Sequence, residues 1–154
     1  MGRKFLIFGI WILLLAYFVS SYSECSTLDC VTTELNSGNN VKLISNISFT
    51  AYAYPKIDKS NIELDCDNYY IKGKRIYDSG FNFTGVSNVV VKNCNLLDGA
   101  TFWFSDSNNN IIINNDVKGM FSAIHLINSD NNLIQDNIFR VQYYSYIDGK
   151  NNII

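Results

Sequence analysis

The sequence predicts an all-β fold, a single-stranded parallel β-helix of about four coils. Three observations carry that: a repeat, a strand pattern and the placing of asparagine. Val91, Ile112, Ile134 and Ile154 recur at intervals of 21, 22 and 20. The same steps separate Asn88, Asn109, Asn131 and Asn151, then Phe81, Phe102, Ile124 and Tyr144, then Phe83, Phe104, Leu126 and Tyr146. Four registers that share three unequal intervals define a repeat protein. Within each unit "FNF", "FWF", "IHL" and "YSY" alternate at period two, and "VVV", "III" and "LIQ" follow an asparagine. Units this short, with no stretch of helical period, cannot bury an apolar face alone and must stack.

Stacking puts equivalent residues about 4.8 Å apart in neighbouring coils. Asparagine suits the corners, because its short amide tolerates left-handed backbone and a column of amides can hydrogen-bond along the stack. Asn115 and Asn137 are expected to form such a column, with Cys94 at the equivalent place one coil earlier.

Taken from the start, Arg3 and Lys4 precede an apolar run from Phe5 to Val19, and small polar residues follow. That order marks residues 1–23 as a secretory signal peptide, cut near Ser21 or Ser23, with an uncleaved N-terminal membrane anchor as the alternative. Residues 24–60 read as an N-terminal cap and lead-in strand, and 61–154 as the repeats. Export puts Cys25, Cys30, Cys66 and Cys94 where disulfides form. Cys25 and Cys30 lie close enough to close a small loop, leaving Cys66 and Cys94, although four cysteines allow three pairings. The chain stops at "GKNNII", partway through a coil, so the stack is expected to be truncated and open there. Ile153 and Ile154 would then meet missing coils or a stacking partner.

Basic and acidic residues nearly balance, at 12 against 14, which gives no footprint for nucleic acid. No cofactor is expected. No metal site is expected either, since the cysteines have no zinc spacing and His125 is the one histidine.

"SNVVVKNCNL" from Ser87, "NNIIINNDV" from Asn109 and "SDNNLIQDNIF" from Ser129 share a run of Ser or Asn, aliphatic residues, then an Asn or Cys corner. In these, and over roughly Val41 to Ile154, the chain resembles the right-handed parallel β-helix domains of the carbohydrate-binding and sugar-hydrolase type, NosD-like copper-associated periplasmic proteins among them. The resemblance implies right-handed coils and leaves open a lyase, a hydrolase, an adhesin or a maturation factor. Copper handling would call for soft or imidazole ligands recurring on one face, and the chain beyond its leader has one histidine and one methionine.

Function is expected on the outward positions. Asn82, Trp103, His125 and Ser145 form one column, in which an exposed indole beside polar groups could receive a sugar ring from a polysaccharide or cell-surface glycan. The competing enzyme reading, lyase before hydrolase, uses Lys118 above Arg140 with Asp116 nearby as base and charge stabilisers. Asn46 and Asn82 each begin a glycosylation sequon. The leading expectation is an exported, secreted or cell-surface structural module that contacts carbohydrate.

Overall fold

The computed structural model describes residues 21–49, 54–73, 79–119, 122–141 and 146–154. The apolar run Phe5–Val19 lies outside them, as do Tyr144 and Ser145, whereas Ser21, Tyr22 and Ser23 of the expected signal peptide are described. No described helix is long and apolar enough to cross a membrane.

Every coil contributes a strand to each of three parallel sheets. The first sheet stacks β1 (Tyr22–Cys25), β2 (Asn40–Leu43), β5 (Glu63–Asp65), β8 (Val90–Lys92), β11 (Ile111–Ile113) and β14 (Leu133–Gln135). The second stacks β3 (Ile47–Ser48), β6 (Tyr70–Lys72), β9 (Asn95–Leu97), β12 (Asp116–Gly119) and β15 (Ile138–Val141). The third stacks β4 (Lys56–Ile57), β7 (Ser79–Thr84), β10 (Ala100–Ser105), β13 (Ile124–Ile127) and β16 (Tyr146–Ile147). The expected parallel β-solenoid is thus present. It has about five coils where the sequence suggests four, because β2, β3 and β4 already complete one.

Corners are made by residues in the left-handed region. Asn61, Asn88, Asn109, Asn131 and Asn151 have φ between 55° and 59° at the entry to the first sheet. Asn93, Asn114 and Asp136, at 54° to 55°, turn the chain into the second. Only a short polar side chain or glycine adopts this conformation readily, so the corners select their residue type.

Inside, like stacks on like. Phe81, Phe83, Phe102 and Phe104 are fully buried, and the rings of Phe83 and Phe104 lie parallel at 4.7 Å. Val91, Ile112 and Ile134 stack in the first sheet, and Leu96, Val117 and Phe139 in the second. Between these apolar columns run buried polar ones. Asn110 Nδ2 donates to Asn132 Oδ1 at 3.0 Å, and Asn132 Nδ2 to Asn152 Oδ1 at 3.1 Å. Each of these oxygens also accepts the backbone N–H of the residue above, from Asn110 at 2.8 Å and Asn132 at 2.9 Å. The expected column behaves alike: Cys94 N–H donates to Asn115 Oδ1 and Asn115 Nδ2 to Asn137 Oδ1. Ser107 and Ser129 make a third, each hydroxyl bonded to carbonyls of its own and the preceding coil. Buried amides are tolerated because every coil supplies their partners.

Two features depart from the sequence reading. A helix, α1 (Leu28–Asn36), packs on β1, β2 and β4 at the N-terminal end of the stack. Thr27 caps it, and Val31 and Leu35, one turn apart, are its buried contacts. The last coil also changes register in the third sheet: His125 pairs with Tyr146 and Leu126 with Ile147, so Tyr146 does not continue the Phe83, Phe104, Leu126 column. Aliphatic Ile147 packs against the core and Tyr146 turns outward, 54% exposed. The chain returns to step by Asn151, through a corner pressed so close that a Cβ on Gly149 would sit 2.0 Å from Ser129 O. At this end Ile153 and Ile154 are exposed.

Asn132→Ala should destabilise the fold by about 2–3 kcal/mol, because it leaves the buried Asn110 amide and Ser107 carbonyl without partners. Exposed Asn131→Gly keeps the left-handed corner accessible and should cost under about 1 kcal/mol. Urea unfolding of both variants checks the ranking, and equal losses would contradict it.

Candidate functional site

The outer face of the third sheet carries one column in register: Lys56 beside Asn82, then Trp103, His125 and Tyr146. Alternation along β7, β10 and β13 drives it, since burying Phe81 with Phe83, Phe102 with Phe104, and Ile124 with Leu126 forces the residue between them outward. Trp103 and His125 stack face to face, with ring centroids 4.0 Å apart and planes 10° from parallel. Tyr54 meets the indole edge-on at 5.9 Å. Trp103 is therefore half-buried, where the sequence suggests an exposed platform, and its Nε1 is buried without a hydrogen-bond partner among the described residues. Asn82 Oδ1 accepts the Thr84 hydroxyl at 3.0 Å. The most open ring of the column belongs to Tyr146, which the constant 20-residue step conceals. Lys56 is exposed and falls outside the repeat intervals, so no periodic signal marks it.

Asp116, Lys118 and Arg140 come together on the outer face of the second sheet. Lys118 pairs with Arg140 across β12 and β15, as their 22-residue spacing predicts. Asp116 lies between them: Arg140 Nη1 reaches its two oxygens at 2.6 and 2.8 Å, and Lys118 Nζ is 3.3 Å away. Burial pushes the Asp116 carboxyl up, but hydrogen bonds and charge from Arg140 and Lys118 outweigh it and hold the group below its usual range. A carboxylate held ionised is a poor general acid.

A second charged group, not singled out from sequence, sits on the first sheet. Lys92 Nζ contacts Glu63 at 2.6 Å and Asp65 at 3.5 Å, and the Tyr22 hydroxyl donates to the same Glu63 carboxylate. The hydrogen bond with Glu63 raises the Lys92 ammonium well above its ordinary value against the opposing effect of burial. These residues belong to three different strands, so only the register brings them together.

All four cysteines are paired, Cys25 with Cys30 and Cys66 with Cys94. The second bridge joins adjacent coils at the column that Asn115 and Asn137 continue. Neither disulfide leaves a thiolate for a metal, and the described residues contain no group of three His, Cys, Asp or Glu able to hold one. Of the two sequons, Asn46 stands exposed, its Oδ1 accepting Tyr70 N–H, while Asn82 is half-buried above Trp103.

Burial lowers His125 below its ordinary value of 6.5, which favours the neutral ring in the folded chain. Its contribution to stability is complete above 6.5 and is lost as the pH falls from there through the folded value, with a slope of at most about 1.4 kcal/mol per pH unit. The thermal midpoint should therefore drop as the pH falls below 6.5, above the range where carboxylates titrate, and His125→Phe should flatten that drop. Parallel profiles for the two proteins would assign the effect to another group.

Comparison with known protein families, curated proteins and solved structures finds no match for this chain. The three parallel sheets make the β-solenoid expected from the resemblance, while its carbohydrate-binding or NosD-like type has no support from these comparisons.

Proposed function

We propose that this chain is an exported structural module of the cell surface or medium that lays a linear carbohydrate along the outer face of its third sheet. The carrying observation is the in-register column of Asn82, Trp103, His125 and Tyr146, with Lys56 at its head. A flat sheet face with a row of ring edges, an amide and a phenol offers apolar contact and hydrogen bonds at each coil, a spacing of about 4.8 Å that suits successive units of an extended polymer. Lys56 favours an acidic chain over a neutral one. Two disulfides fit an oxidising, extracytoplasmic compartment, and the basic, apolar and small-residue order of the first residues fits export to it.

The lyase alternative draws on Asp116, Lys118 and Arg140, which are ion-paired with one another. Purified chain on an array of neutral and acidic polysaccharides should bind without turnover. Tyr146→Ala and Trp103→Ala should each weaken binding about tenfold, the loss of roughly one aromatic contact, and Lys118→Ala should leave it unchanged. Product formation abolished by Lys118→Ala would replace this reading with the lyase, and no binding to any glycan would remove carbohydrate contact from it.

A further inference from the structure

Two peptide bonds near the N-terminus satisfy the small-residue requirement of a signal peptidase. One follows Val19-Ser20-Ser21 and the other follows Ser21-Tyr22-Ser23. By residue size alone the second is the better match, with serine at both key places. The fold distinguishes them, because β1 begins at Tyr22.

Tyr22 and Ser23 are half of β1 and pair with Asn40 and Val41 of β2. The Tyr22 hydroxyl donates to Glu63, two strands away, and its ring lies 5.9 Å from Lys92 Nζ, three strands away. It thereby closes the group formed by Glu63, Lys92 and Asp65. Ser23 Oγ donates to Glu34 Oε2 at 2.7 Å and fastens β1 to α1, the helix that covers this end of the stack. That hydrogen bond, with a second from Asn39, holds the Glu34 carboxyl below its usual value. A cut after Ser23 removes the contacts that Tyr22 and Ser23 make and leaves Glu24 and Cys25 as the remnant of the strand. A cut after Ser21 removes none of them.

We propose that the Ser21–Tyr22 bond is the processing site and that the mature chain begins at Tyr22. The proposal rests on the export reading above. The step is a hydrolysis: water adds its hydroxyl to the Ser21 carbonyl carbon, the C–N bond breaks and the other water proton goes to the Tyr22 nitrogen; the new Ser21 carboxylic acid then gives up its proton to that amine, leaving a carboxylate and the new α-ammonium.

The test expresses the full chain in a secreting host and reads the N-terminus of the exported protein by Edman sequencing and intact mass. Tyr22 as first residue is the expected result. Glu24 as first residue would overturn the proposal while leaving export intact. An uncut chain, or none exported, would overturn both. Ser23→Leu provides a second readout, because it spoils the site after Ser23 and leaves Val19-Ser20-Ser21 untouched. Processing should continue to give Tyr22, and a block would show that the native cut lies after Ser23.

Discussion

Vertical register is the constraint on which everything else depends. In a solenoid whose partners lie directly above and below, a side chain is judged by the residue at the same place in the next coil. A buried asparagine alone would cost more than its fold could tolerate, but an asparagine under an asparagine is supplied with donor and acceptor at once. Asn110, Asn132 and Asn152 meet that condition, and so do Asn115 and Asn137. The same rule lets phenylalanines stack as parallel plates and forces Trp103 onto His125.

Charge follows the rule in a looser form. Lys42 meets Asp67, Lys72 meets Asp98, Lys92 meets Glu63, and Arg140 meets Asp116, each pair bridging one coil to the next. Most of these groups are open to solvent, where an ion pair adds little stability. Their value lies in alignment: a coil slipped by one residue would set aliphatic side chains outside and leave these charges without partners.

Much of this was legible because the interval between coils is written into the sequence. The columns of Phe83 and Phe104, of Trp103 and His125, and of Lys118 and Arg140 all follow from steps of 21 and 22. The buried ladder through Asn110, Asn132 and Asn152 obeys the same steps, yet its neighbours Asn109 and Asn131 obey them too, and spacing alone does not tell which amide faces inward. The last coil was misread where a compressed corner at Gly149 replaced a uniform step. Helix α1 escaped because its helical spacing, Leu28, Val31 and Leu35, spans only nine residues, too short a run to stand out from the strand pattern around it. At the candidate site the positions were legible and the environments were not. That Arg140 grips Asp116, or that Tyr54 covers the indole edge, depends on side-chain conformation and on a segment outside the repeat.

The Cys66–Cys94 bridge gives the stack a mechanical property that its hydrogen bonds lack. A solenoid pulled at its two ends peels coil by coil, each released turn lengthening the chain. Here the covalent link spans 28 residues and carries the load around them, so a taut chain keeps roughly 95 Å of contour in reserve while the bridge holds. The domain would therefore extend less when oxidised than when reduced.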